Sequence, residues 1–97
     1  MNESAAHVLI IHEVADYAKW KAVFDDAAAL RKDAGEIEFR LLAYEGEARR
    51  VVHFSRWASL AAARAFFESP ELVEIRRSAG VHAPEFIYLN EIESGRL

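Results

Sequence analysis

Cysteine is absent from all 97 residues. That excludes disulfide staples, thiolate metal centres and a cysteine nucleophile. Glycine occurs only four times and forms no phosphate-cradling loop, and neither a nucleophile elbow nor a pair of carboxylates at defined spacing is present. No apolar run approaches the roughly 20 residues that span a bilayer. The N-terminus, MNESAAHVLIIHEV, lacks the cationic start, apolar stretch and cleavage site of an export signal. A soluble, cytoplasmic protein without a membrane partner is the expectation. Positive charge is also short: the formal net charge is -4 and acids interleave with bases, so no basic stripe offers itself to phosphates. Nucleic acid is not an expected partner.

What is present is ordinary globular material, 53% hydrophobic and 29% charged, of a length that suits one domain over residues 1–97. Chains this short are marginal alone, and a second copy is the simplest cover for a spare apolar face.

The first segment, HVLIIHEV, is apolar on both alternating faces, with Val8, Ile10, His12 and Val14 on one side and His7, Leu9, Ile11 and Glu13 on the other. A central strand covered on both sides reads this way. Asp16 is placed to cap a helix whose apolar stripe carries Tyr17, Trp20, Val23, Phe24, Ala27, Ala28, Leu30 and Ala34, with Arg31 as its one charged intruder. Gly35 ends that helix. Glu36 to Tyr44 alternates more cleanly, Ile37, Phe39, Leu41 and Ala43 against Glu38 and Arg40, as a strand nearer an edge does. After a short turn at Gly46, residues 51–57 form a second doubly apolar strand. Ser59 caps a helix with Leu60, Ala63, Phe66 and Phe67. Ser69 and Pro70 restart a helical segment with Glu71 near its start and Arg76 and Arg77 near its end, matching the helix dipole, and Gly80 stops it. Pro84 leads into a last strand, EFIYLNEI, with Phe86, Tyr88, Asn90 and Ile92 on one face.

The order β-α-β-β-α-β predicts an α+β, ferredoxin-like domain: a four-stranded antiparallel sheet, strands one and three central and parallel to each other, and both helical regions on one face. The two halves form a weak repeat in which Asp16 matches Ser59 and Val23-Phe24 matches Phe66-Phe67. Helices cover one sheet face only. The other apolar face predicts a homodimer packed sheet on sheet.

The same repeat puts His53 level with Ile10, so His12 and His53 share a face of neighbouring strands. A stagger of two residues is about 7 Å along a strand and neighbouring strands lie about 4.8 Å apart, within reach of one small ligand. Each histidine reads either as a hydrogen-bonded core residue or as a site residue. Facing the helices they line a pocket; facing a partner copy they join a dimer core, and periodicity leaves both open. Ser55 and Trp57 lie on their face. Glu13 aligns with Arg56 on the opposite face, where an ion pair is expected. Two histidines without an HxH or HExxH spacing predict no metal site. Trp20, Phe24 and Phe67 read as core or as the wall of an apolar pocket, and Tyr17 as its rim. Asn90, among Phe86, Tyr88 and Ile92, needs hydrogen-bond partners if buried.

His12, Val14, Asp16, Tyr17 and Trp20, as H-x-V-x-D-Y-x-x-W, with LAAARAFFESPELVE and GVHAPEFIYLNEI, resemble small members of the dimeric α+β barrel superfamily near the antibiotic-biosynthesis-monooxygenase-like group. The resemblance covers nearly the whole chain. It implies a dimeric barrel with a pocket between sheet and helices, and cofactor-free oxidation of aromatic polyketides, in which an enzyme base deprotonates an electron-rich phenol that then reacts with oxygen. The catalytic residues of those relatives do not map one for one. The matching assignment makes His12 and His53 catalytic, and Tyr17, Trp20, Phe24, Trp57, Phe67, Tyr88 and Asn90 substrate-binding, with no cofactor and a small apolar or aromatic ligand. Related cyclase or isomerase chemistry fits the same pocket. A haem-degrading branch uses a histidine ligand, and His82 lies after the second helical region without that branch's motif. The competing expectation is a non-catalytic dimeric module that binds a small molecule or serves as structure.

Overall fold

Strands form where β-branched and aromatic residues cluster, and helices where a side-chain oxygen meets the first free amides. A computed structural model describes residues 5–97, in the order β1 (Ala6–Val14), α1 (Tyr17–Asp26), α2 (Ala28–Ala34), β2 (Glu36–Tyr44), β3 (Glu47–Trp57), α3 (Leu60–Phe67), α4 (Pro70–Ser78) and β4 (Val81–Asn90). Asp16 accepts from the Lys19 amide at 3.1 Å and Ser59 from the Ala62 amide at 3.0 Å, so both expected caps are made. Ser69 caps α4 in the same way, with Pro70 in its first turn. No helix among the described residues is long and apolar enough to cross a membrane.

The sheet order is β2-β3-β1-β4, with every neighbouring pair antiparallel. The ferredoxin-like α+β fold is therefore as expected, with β1 and β3 central. Their relative direction is a correction: they are antiparallel. The α1–α2 crossover makes β2 parallel to β1, and the tight Glu45–Gly46 hairpin, with Gly46 at a φ of 80°, then reverses β3. Antiparallel pairing also removes the expected Glu13–Arg56 ion pair. Glu13 lies opposite Arg50, while Arg56 lies opposite His7 and donates to Glu38 at 2.8 Å.

Val8, Ile10, Val14, Val51 and Trp57 turn towards the helices and pack on Trp20 and Phe24 from α1, Ala63, Phe66 and Phe67 from α3, and Leu72 from α4. The two apolar clusters they form are the core. On the outer face Leu9, Ile11, Val52 and Phe54 are half-buried, with Leu42 and Leu89 exposed beside them.

Three departures from simple periodicity shape the interior. The expected single helix after Asp16 breaks at Ala27, and α2 turns Arg31 inward, where its guanidinium donates to the Phe24 carbonyl. In β2 the register against β3 shifts between Glu36 and Glu38, so Ile37 is an extra residue in a bulge. One extra residue inverts which face its neighbours use, and Glu36 joins Phe39 on the helix side instead of following Glu38 outward. In β4, which starts at Val81 rather than Glu85, Ala83 and Pro84 together oppose His12, and Ala83 has a φ of 46°. Proline is tolerated there because β4 is an edge strand.

Gly35 joins α2 to β2 at a φ of 126°, a conformation that side chains resist. A methyl group there meets Ala62, Ala58 and Trp57 at 3.5–3.6 Å, ordinary contact, so the obstacle is the backbone and not space. Gly35→Ala should cost about 1–3 kcal/mol. In a domain of this size, thermal unfolding should show a midpoint at least about 4 °C lower, and an unchanged midpoint contradicts the strain.

Candidate functional site

Both histidines face the helices. Ile10 lies directly opposite His53, and His12 is two residues further along β1, so the predicted stagger holds. His53 is 3% and His12 5% exposed. Around His53 stand the rings of Phe24 at 5.0 Å, Phe39 at 6.0 Å and Phe67 at 6.4 Å, all edge-on. His12 meets Trp20 at 5.0 Å, and Trp20 in turn stacks on Phe24 at 5.1 Å.

The polar heart of this aromatic layer is a chain of three buried side chains. Arg31 Nε donates to Glu36 Oε1 at 2.6 Å, and Glu36 Oε2 lies 2.8 Å from His53 Nε2. Arg31 is 5% and Glu36 9% exposed. The Arg31 guanidinium also lies 3.7 Å from the centroid of the Phe24 ring. Burial by itself raises the Glu36 carboxyl, but hydrogen bonds and charge from His53 and Arg31 outweigh it and hold the group below its ordinary value. An ionised carboxylate only accepts, so the Nε2 beside it carries a proton, and whenever the ring is neutral the lone pair is on Nδ1. His53 is thereby a base of defined tautomer, with a carboxylate placed to stabilise its protonated form.

Above it lies a cavity of about 70 Å³, lined by His53, Trp20, Phe24, Phe67 and Ile10 with Arg76 from α4. At about 30 Å³ per water this holds two or three water molecules, less than the roughly 300–1,000 Å³ of ligand pockets in general. Arg76, whose guanidinium sits 4.7 Å from the Phe86 ring centroid, is depressed below its usual value chiefly by burial.

Of the residues selected from sequence, His53, Trp20, Phe24 and Phe67 come together on the cavity, and His12 lies directly behind Trp20. The others are elsewhere. Tyr17 is 44% exposed, its ring 5.9 Å from Trp20. Trp57 is fully buried in the core, its indole N–H donating to Ser55 Oγ at 2.8 Å. Tyr88 donates its hydroxyl to Glu68 at 3.3 Å beneath Arg64, and Asn90 is exposed opposite Ala6 at the end of β4, so its amide is open to solvent. His82 is exposed on β4 opposite Glu13. Sequence reasoning missed Glu36, Arg31 and Arg76 as site residues. Arg31 had a signal, a lone charge on an apolar stripe, which demands a buried partner. Glu36 had none, because only the bulge turns it inward.

The pH dependence of stability follows from two of these groups. Burial first, then the charges of His53 and Arg76, pushes His12 from 6.5 down to about 4. As the pH falls from about 6.5 through about 4, the unfolded chain binds a proton that the folded chain refuses, so stability falls, by on the order of 3 kcal/mol in total. Glu36, with its depressed carboxyl, adds stability present above 4.5 and lost as the pH drops through its folded value. Denaturant midpoints between pH 7 and 4 should decline in the natural protein, and the part above pH 5 should vanish in His12→Leu. A flat natural profile in that range contradicts the neutral His12.

No curated protein matches the sequence. Solved structures do match its fold. The cofactor-independent oxygenase SnoaB of Streptomyces nogalater is 16% identical, with a TM-score of 0.74 over 96% of this chain and 97% of that one. The ActVA-Orf6 monooxygenase of Streptomyces coelicolor, in complex with nanaomycin D, is 16% identical, with a TM-score of 0.65 over 97% and 93%. A dimeric ferredoxin-like protein from an uncultured marine organism is 12% identical, with a TM-score of 0.63 over 98% and 94%. At these identities the likeness is one of fold. The family model described as antibiotic biosynthesis monooxygenase matches residues 15–78, about two-thirds of the chain and the span holding Arg31, Glu36, His53 and Arg76, and the protein belongs to that family.

Proposed function

We propose that the protein is a cofactor-independent monooxygenase acting on a small, electron-rich phenol or polyketide-like aromatic. The observation that carries this reading is the buried imidazole of His53, tied to the Glu36 carboxylate and opening on an aromatic-walled cavity. His53 Nδ1 takes the phenolic proton, and Glu36 offsets the resulting imidazolium in a site where it would otherwise be costly. The phenolate passes one electron to dioxygen. Recombination of superoxide with the phenoxyl radical forms a carbon–oxygen bond at the C–H position para to the oxygen. Loss of water from the hydroperoxide, with His53 returning the proton, leaves a quinone. One oxygen atom enters the product, the other leaves as water, and the substrate supplies all the electrons. Trp20, Phe24 and Phe67 stack on the ring and keep bulk water from the radical pair. His12 and the more distant Tyr17, Trp57, Tyr88 and Asn90 remain proposed parts of the site, the last four requiring movement on ligand entry to touch substrate.

The self-satisfied Arg31–Glu36–His53 chain and the small cavity favour a second reading, a non-catalytic binding or structural module. Turnover separates the two. Oxygen uptake with an electron-rich phenol should fall about 100-fold or more in His53→Ala, the usual worth of a general base, while circular dichroism remains native. Uptake unchanged in that variant overturns the site, and no uptake with any phenol favours the module.

The functional unit we propose is a homodimer joined through the outer sheet faces. Support comes from the apolar patch of Leu9, Ile11, Val52 and Phe54 and from the dimeric state of a structural neighbour. Light scattering should give twice the chain mass for the natural protein and the chain mass for Ile11→Arg. A dimer persisting in that variant places the interface elsewhere.

A further inference from the structure

The outer face of the sheet is not only apolar; its charges follow a pattern. At its centre two rows of directly opposed residues cross all four strands. From β2 to β4 the first row is Arg40, Phe54, Leu9 and Ile87, and the second is Leu42, Val52, Ile11 and Glu85. Six apolar side chains thus form a continuous patch, with a cation at one corner and an anion at the opposite corner. Both corner residues are exposed.

The other charges of this face have neighbours within the chain. Arg56 donates to Glu38 at 2.8 Å, His7 lies 3.8 Å from Glu91, Arg50 lies 3.8 Å from Glu47, and Glu13 stands opposite both Arg50 and His82. Arg40 and Glu85 make no ion pair among the described residues. Nor do they serve each other. Three strand spacings of about 4.8 Å and a stagger of about 7 Å along the strands set them about 16 Å apart, with the patch between them.

Two copies packed face to face are related by a two-fold axis lying between the sheets, so the patch must be its own complement. An axis through the centre of the patch and along the strands lays Arg40 on the partner's Ile87. One at right angles to the strands lays it on the partner's Leu42. Either leaves a cation against hydrocarbon, which is costly. An axis across the diagonal from Arg40 to Glu85 exchanges the corners instead. Each cation then meets an anion, and apolar side chains cover apolar side chains between them.

We propose that the homodimer is held in this one register by two symmetry-related ion pairs, each between Arg40 and the partner's Glu85, on either side of the apolar patch. The proposal rests on the homodimer reading above and deepens it, from which face is buried to how two copies are aligned on it. The patch supplies most of the affinity, while the corner charges select the register and disfavour other pairings.

The test is charge reversal with rescue, read as the dimer dissociation constant from sedimentation equilibrium. Arg40→Glu and Glu85→Arg each create a like-charge contact at both corners, and each should raise that constant about tenfold or more. Arg40→Glu/Glu85→Arg restores opposite charges and should return it to within about threefold of the natural value. Circular dichroism should stay native throughout, because both positions are exposed. The cysteine-free sequence allows a geometric readout as well. A short bismaleimide should join an Arg40→Cys chain to a Glu85→Cys chain and should join neither variant to itself. Single reversals that dimerise as the natural protein does, a double variant as weak as the singles, or cross-linking in any other pattern overturns the register. The homodimer reading survives those results if Ile11→Arg is monomeric. A natural protein that is monomeric at every concentration, or a dimer that Ile11→Arg leaves intact, overturns that reading and this inference with it.

Discussion

The interior is organised by one buried carboxylate. Glu36 faces Arg31 with one oxygen and His53 with the other, and neither neighbour tolerates its loss: the guanidinium would be a bare charge in an aromatic layer, and the imidazole would lose its orientation. Charges taken out of water cost several kcal/mol each, and their mutual attraction compensates only when the geometry is good and remaining donors are used. Here Arg31 Nη1 donates to the Phe24 carbonyl at the helix break, and the guanidinium lies over the Phe24 ring.

That requirement explains features that are puzzling alone. The break at Ala27 interrupts an alanine run of high helix propensity, and its result is the inward turn of Arg31. The bulge at Ile37 spoils an otherwise regular strand, and its result is the inward turn of Glu36. Gly35 sits between them in a conformation reserved for glycine, allowing helix end and strand start to approach closely enough for the pair to form. Local regularity gives way so that a guanidinium, a carboxylate and an imidazole can meet inside an apolar layer. The same layer contains a histidine kept neutral and one backed by a carboxylate.

Family membership and site chemistry carry different weight. The match over residues 15–78 establishes kinship, and the neighbours establish the fold, yet folds host many activities and the argument for activity must come from the site. The Arg31–Glu36–His53 chain is such an argument from this sequence itself. The cavity beside that chain is small, about 70 Å³, and walled by aromatic rings.

Element order, both expected caps, the two doubly apolar central strands and the shared face of His12 and His53 were legible in the sequence, because periodicity and capping are local properties that a few neighbouring residues decide. Trp20, Phe24 and Phe67 were legible as the aromatic stripe above those histidines for the same reason. The direction of β3 against β1, the pairing of Arg56 with Glu38 rather than Glu13, and the place of Tyr88 and Asn90 away from the cavity were decided by topology, which local pattern does not encode. Glu36 is the sharpest case. Strict alternation keeps it with Glu38 and Arg40, and a single extra residue in β2, selected by partners five and seventeen positions away, turns it to the inside. Sequence by itself determined which residues are able to form a base, a wall and a core; only the tertiary structure decided which of them meet, because a bulge or a helix break is stabilised by contacts remote in the chain.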